Sequence, residues 1–270
     1  MPSTPLAVTL SDLAITFGGK AGGYTAVRAI ELAVAPGEFV AIVGPTGCGK
    51  STLLNAAAGL LKPSAGRVAI FGTPLVGLNS RAGYLFQQDA LMPWKTALAN
   101  VAVALEPKGV PRAEAEGRAR DWLKRVGLAA FTDRYPHMLS GGQRKRVALA
   151  QMLIRDPEIL LMDEPFGPLD AQTRQIMGNL LLKLWAADRR AVLFVTHDLE
   201  EAIALADRVV VMSAGPAARI IGDFKVDLPR PRDIAEVRLE PAFHHIHREI
   251  WTSLREEVSK AYAQGEGDPT

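Results

Sequence analysis

The sequence predicts an α/β fold around a largely parallel sheet, and three observations predict it. A glycine-rich octapeptide, Gly44 to Ser51, stands after an apolar run and before a helical pattern. Short unbroken apolar runs at Ile159–Met162 and Ala191–Val195 fit strands covered on both faces, as in a parallel sheet. Between these regions the chain changes character: residues 95–138 read as helix with charged faces and carry no strand pattern.

Taken in order, Ala7–Ile15, Ala26–Val34 and Phe39–Val43 read as strands, the last two separated by a Pro36-Gly37 turn. The run from Gly18 to Gly23 reads as a hairpin loop. A helix over Lys50–Leu61 closes near Pro63, and strands follow at Arg67–Phe71 and Ala82–Phe86. After the helical insertion come a helix at Ser140–Ile154, the strand Ile159–Met162, a helix at Ala171–Ala187, the strand Ala191–Val195 and a short helix at Leu199–Leu205. Arg208–Met212 and Arg219–Phe224 read as terminal strands. After Asp227 to Arg232 the chain is expected to leave the core. Pro241–Ala263 then reads as an amphipathic helix with Ile246, Ile250, Trp251, Leu254 and Val258 on one side. Residues 265–270 are expected to fray.

At 270 residues the chain has room for one or two domains and an ordinary core. Apolar residues make up 48%, yet no segment approaches the ~18 unbroken apolar residues of a membrane span. With 31 basic and 29 acidic residues the net charge is +2, so electrostatics offers no case for a nucleic-acid partner. The start of the chain, Met1 to Leu6, lacks the basic end and long apolar stretch of a secretion signal. A single cysteine, Cys48, excludes an internal disulfide. These features together favour the cytoplasm.

Gly44, Pro45, Thr46, Gly47, Cys48, Gly49, Lys50 and Ser51 fit the phosphate-loop pattern, with Thr52 next in the first helical turn. Glycines let backbone N–H groups turn around phosphates, and the helix start adds its positive end. Lys50 is expected to reach the β- and γ-phosphates of ATP, and the Ser51 hydroxyl to ligate Mg²⁺. Cys48 reads as a small space-filler; a bulky thiol reagent there should block nucleotide binding, with ATP protecting. Asp163 and Glu164 close an apolar strand: Asp163 suits Mg²⁺ through water, and Glu164 is placed to polarise an attacking water. Ser140, Gly141, Gly142 and Gln143 read two ways. Ser140 and Gln143 form a capping-box pattern, while the paired glycines cost helix stability and suit close approach to an anion.

With these motifs in this order the chain resembles the ATPase subunits of ABC transporters, from about Leu6 to Asp233. Finer strings (Leu85-Phe-Gln-Gln, Leu91-Met-Pro-Trp94, Asp133-Arg-Tyr-Pro-His137, Asp163-Glu-Pro-Phe-Gly167, Val195-Thr-His-Asp198 and Asp227-Leu-Pro-Arg-Pro-Arg232) are similar to the nitrate/sulfonate/taurine-type importers. The resemblance implies an α/β phosphate-loop core of ABC type, an N-terminal antiparallel β layer and an inserted α-helical subdomain. It implies an ATPase domain over 5–228, with the helical subdomain at about 95–155, and a C-terminal helical extension and frayed tail over 229–270. It further implies that Gln87 senses Mg²⁺ and the attacking water and links to a membrane subunit, that His197 contacts the γ-phosphate, and that Asp170 crosses a dimer interface. Ser140–Gln143 would then hold the γ-phosphate of an ATP on a second copy of the chain. An aromatic near the N-terminus would stack on adenine: Phe17 stands in the usual place, with Tyr24 the alternative. The partners implied are a second copy, two membrane permease subunits and, indirectly, a periplasmic solute-binding protein. The place implied is the cytoplasmic face of the inner membrane, as a peripheral subunit. Two residues depart from the pattern: Pro168 where Ala is common, and Gln151 where Arg is common. An exporter ATPase and a non-transport ABC ATPase are the alternatives.

Leu91-Met-Pro-Trp94 reads either as loop packing or as a groove for a membrane-subunit helix. His244-His245-x-His247 lacks matching metal ligands, and Arg112–Arg125 reads as a solvated helix face.

Overall fold

The computed structural model describes residues 5–18 and 22–266; residues 19–21 of the expected hairpin loop and 267–270 of the expected frayed tail lie outside them. Two sheets form the frame. A six-stranded sheet runs β10(Ile220–Lys225), β9(Arg208–Met212), β3(Phe39–Val43), β8(Ala191–Val195), β7(Ile159–Asp163), β6(Ala82–Leu85). Its strands pair in parallel except β10, which runs antiparallel to β9. A four-stranded antiparallel sheet runs β2(Tyr24–Val34), β1(Val8–Phe17), β4(Ala65–Ile70), β5(Thr73–Pro74).

The parallel order follows from the sequence. β3 and β8 are buried at every position, so each must be covered on both faces. Strand alternation then divides them: Phe39, Ala41 and Val43 join one apolar core, while Val40 and Ile42 join the other. Each of the larger side chains, Phe39, Val40, Ile42 and Val43, contributes roughly 2 kcal/mol by leaving water. One core is closed by the antiparallel sheet and α1(Lys50–Ala57). The other is closed by the remaining helices: α2(Ala97–Ala102), α3(Arg112–Arg125), α4(Gly141–Leu153), α5(Ala171–Asp188), α6(Leu199–Leu205), α7(Ile234–Val237) and α8(Pro241–Glu266).

The 95–138 region is helical throughout its regular elements: one 3-10 segment, Val103–Lys108, joins α2 to α3, and two short 3-10 turns follow α3. α3 buries Ala115, Ala119 and Leu123 and leaves its charges to solvent. Asn100, fully buried on α2, accepts the amide of Met92 and donates to the carbonyls of Met92, Lys95 and Thr96, which fixes the loop ahead of the helix.

Three local expectations are corrected, and two short elements went unforeseen. α1 stops at Ala57 rather than Leu61, because Gly59 turns left-handed at φ 72° where a Cβ would lie 1.9 Å from the Gly77 carbonyl. β5 and α7 are too short to show a period. The segment after Asp227 does not leave the core: Phe243, Ile246, Ile250 and Leu254 of α8 are buried in it. Trp251, expected on that apolar side, is instead 44% exposed.

Candidate functional site

The chain crosses from β3 to α1 through Gly44–Gly49, and the loop's shape is set by what cannot fit there. Gly49 caps α1 in the left-handed region at φ 94°, where a Cβ would lie 2.6 Å from Val27 Cγ1. The Cys48 side chain is buried, with Sγ 2.9 Å from where a Cβ on Gly44 would stand, and burial pushes its thiol pKa up. This supports the space-filling reading. A buried protonated thiol is a poor nucleophile, so labelling of the native chain is expected to be slow. Lys50 Nζ donates to the carbonyls of Gly44 and Pro45 at 2.9 Å each, so the ammonium is folded back over its own loop.

Ser51, in the first turn of α1, donates from Oγ to Asp163 Oδ1 at 2.8 Å. Asp163 ends β7 in register with Val195 of β8, which fixes its height on the sheet. Burial pushes its carboxyl pKa up, against the opposing pull of the Ser51 hydrogen bond. A hydroxyl and a desolvated carboxylate side by side, next to a phosphate loop, fit a divalent cation with oxygen ligands. Glu164 follows at φ 41°, a left-handed position that a non-glycine residue holds only under local constraint, and its amide donates to the Val195 carbonyl at 2.9 Å. Its Oε2 lies 3.4 Å from Gln87 Nε2, the donor, and 3.1 Å from His197 Nδ1. The structure thus brings Lys50, Ser51, Asp163, Glu164, Gln87 and His197 into one neighbourhood.

Of the other expected residues, Ser140, Gln143 and Asp170 make their own hydrogen bonds. Ser140 Oγ accepts the Gln143 amide at 3.3 Å and Gln143 Oε1 accepts the Ser140 amide at 2.9 Å, so the capping box is formed. Gly141 sits against Leu169 ahead of α5 and Gly142 against the first turn of α5, where a Cβ would lie 2.6 Å from Thr173 Cγ2. Asp170 caps α5 by accepting the Thr173 amide at 2.9 Å and its hydroxyl at 2.6 Å, which hold its carboxyl below the usual range. Among the described residues, no hydrogen bond joins Ser140–Gln143 or Asp170 to Lys50, Ser51 or Asp163. Phe17 and Tyr24 face each other across β1 and β2, 43% and 51% exposed. A Cβ on Gly215 would lie 3.5 Å from Tyr24 Oη and 3.7 Å from the Gly47 carbonyl, so Tyr24 stands beside the phosphate loop.

Several residues escaped the sequence reading. Tyr84 Oη lies 3.4 Å from Asp163 Oδ2 and 3.1 Å from Asn55 Oδ1, and burial followed by Asp163's charge pushes its pKa up. Lys145 on α4 is buried, donates to the carbonyls of Phe86 and Gln87 at 3.3 and 3.0 Å, and is ion-paired with Asp89 Oδ1 at 2.9 Å. Neither has a local signal, because each acts on a residue far away in sequence. Trp94 is 72% exposed, and the cavity beyond Gln87, of about 280 Å³, is lined by Tyr84, Phe86, Gln88, Ala104, Pro107 and Met152 among others.

The ABC transporter family model matches residues 27–167. A Methanocaldococcus jannaschii protein described as an ABC transporter ATP-binding protein, MJ0412, is 47% identical over 232 residues, covering 86% of this chain and 85% of that protein. The taurine import ATP-binding protein TauB of Pseudomonas entomophila is 46% identical over 207 residues, 76% of this chain and 80% of its own length. Among solved structures, a dimeric post-hydrolysis state of the ATP-binding cassette MJ0796, bound to ADP and Pi, superposes with a TM-score of 0.73 at 33% identity, covering 82% of this chain and all of that one. No helix among the described residues is long and apolar enough to cross a membrane. With the phosphate loop, the acidic strand end and the glycine-paired helix start in this arrangement, the chain belongs to the ABC transporter family, as an ATP-hydrolysing subunit.

Proposed function

We propose that this subunit energises an importer for a small anionic or zwitterionic solute of the nitrate, sulfonate or taurine kind, working as a pair of copies beneath two membrane permease subunits. The observation that carries the hydrolytic part is Glu164: it is held at φ 41° at the end of β7 with Gln87 and His197 both against Oε2. The importer class draws its support from the taurine-import names of relatives such as TauB and from the finer sequence strings. A peripheral position at the cytoplasmic face of the membrane, fed by a periplasmic binding protein, belongs to the same proposal.

In this reading the amides of Gly44–Thr52 cradle the phosphates of ATP, and Lys50 leaves its carbonyl partners to meet the β- and γ-phosphates. Mg²⁺ would be held by Ser51 and, through water, Asp163, with Gln87 nearby, and would supply positive charge to the phosphate oxygens. Glu164 accepts the proton of the attacking water; Gln87 and His197 orient that water and the γ-phosphate. Phe17, with Tyr24 opposite, offers the aromatic edge for adenine. Ser140, Gly141, Gly142, Gln143 and Asp170 serve the partner copy's ATP, which explains why they stand apart from Lys50 in one chain. The cavity beyond Gln87 is the surface we assign to the permease.

Two variants test the site. Lys50→Ala is expected to lose ATP affinity tenfold or more by equilibrium binding, an effect of about 1.4 kcal/mol or above. Glu164→Gln is expected to bind ATP and accumulate as a closed dimer by size-exclusion chromatography. Tight ATP binding by the Lys50 variant, or a monomeric profile for the Glu164 variant with ATP, would sink the composite site.

A further inference from the structure

The loop from Glu164 to Asp170 and the loop from Thr196 to Asp198 are linked at two places. At one, Glu164 Oε2 lies 3.1 Å from His197 Nδ1, with Gly167 against the imidazole. At the other there is no direct contact; Arg174, on the first turn of α5, bridges them. Its Nη1 donates to Asp198 Oδ2 at 2.8 Å and its Nη2 to the Leu169 carbonyl at 3.2 Å. Leu169 directly precedes Asp170, and Asp198 directly follows His197.

The Asp198 end of this bridge is firmly set. Asp198 Oδ1 caps α6 by accepting the Glu201 amide at 3.0 Å, and its own amide donates to Thr196 Oγ1 at 3.1 Å. Thr196 in turn donates to the buried Glu201 carboxylate at 2.5 Å. The residues flanking His197 on both sides are therefore pinned to the start of α6. Arg174 is the group through which that rigid corner reaches the Asp170 loop. A planar guanidinium can serve a carboxylate and a carbonyl at once; an ammonium on a flexible stem serves them one at a time.

We propose that Arg174 is a positioning residue that closes a ring of contacts, Glu164–His197–Asp198–Arg174–Leu169, so that His197 and Asp170 reach their working places together. This rests on the site reading above, in which His197 meets the γ-phosphate and Asp170 meets the second copy. Loss of the bridge leaves the phosphate loop intact and uncouples the two loops, so it acts on turnover and on cooperation between copies rather than on nucleotide capture.

The test uses the full chain with Arg174→Gln, Arg174→Lys and Asp198→Asn, the last keeping an α6 cap while removing the charge. Arg174→Gln is expected to lower kcat about tenfold to a hundredfold, to bring the Hill coefficient for ATP toward one, and to leave ATP affinity within about twofold. Arg174→Lys, which keeps charge beside Asp198 alone, falls between. The Arg174→Gln and Asp198→Asn changes together are expected to cost no more than the larger single change, because both open the same ring. Unchanged kcat and cooperativity in Arg174→Gln would overturn the proposal. So would fully additive losses in the double variant, or a fall in ATP affinity matching the fall in kcat. If Lys50→Ala still bound ATP tightly, the site reading itself would fail; a dead Lys50 variant beside a normal Arg174 variant removes only the ring.

Discussion

Glu201 is a carboxyl group shut inside the start of α6, 5% exposed, and burial pushes its pKa from 4.5 up to about 7. It lines a cavity of about 170 Å³ together with Arg174, Asp198 and Arg238, and His197 is close enough to favour its charged form. An acid whose pKa rises on folding is more protonated in the native chain than in the unfolded one between about pH 4.5 and 7. Its contribution therefore falls as pH rises through that window and is level above it. Glu201→Gln keeps an acceptor for Thr196 and removes the dependence, so its Tm is expected to exceed the parent's by a few degrees at pH 8 and to match it near pH 5. Equal differences at both pH values would mean that the group is ionised throughout. Cys48 gives a second residue-scale expectation: alkylation by a small maleimide is slow in the native protein and fast in denaturant, since the thiol is buried and its pKa raised. Rapid native labelling would contradict that packing. At this scale the sequence showed residue types whose chemistry is local, such as Lys50 and Ser51 next to each other in one loop. It did not show Tyr84, Arg174 or Glu201, whose meaning comes from groups that only folding brings near. The left-handed Glu164 is likewise a property of the corner between β7 and its loop, not of the Asp-Glu pair itself.

Among the elements, α8 has the most to add. Its Glu257 accepts the Ala214 amide at 2.8 Å, and the segment from Ser213 to Ala218 runs on beside the phosphate loop. That segment is sewn to β2 by Ala217 and Ala218 amides donating to the Thr25 and Ala26 carbonyls at 2.7 and 3.0 Å. Removing the carboxylate with Glu257→Ala is expected to weaken this strap by about 1–2 kcal/mol. The readout is faster amide exchange at Ala214 and its neighbours, together with a modest loss of ATP affinity. Exchange unchanged at Ala214 would show that the strap stands without the helix. The 3.6-residue period of α8 was legible, and so was its length. Where its apolar face goes was not, because a stripe of Ile and Leu says that something is covered and not what covers it. The stripe is also rotated, with Phe243 in and Trp251 out. β5, at two residues, and α7, at four, are too brief to carry a pattern at all.

For the whole molecule, the residues expected in the site fall into two groups by their hydrogen bonds. Ser140–Gln143 and Asp170 lie together, and Lys50, Ser51 and Asp163 lie together, without a bond between the groups among the described residues. Turnover per chain is therefore expected to fall with dilution, as pairing is lost, while ATP binding per chain stays constant. A rate per chain independent of concentration down to nanomolar levels would argue that one copy suffices. The layered α/β frame was legible from runs such as Ile159–Met162, whose unbroken apolarity demands cover on both faces. The return of the chain's end to that frame was not. One buried contact has a mechanical consequence at this scale. Lys145 fastens α4 to the backbone of Phe86 and Gln87 and to Asp89. The helix and the turn at Gln87 are thereby moored at one point, so a displacement of α4 is expected to carry the Gln87 backbone along with it.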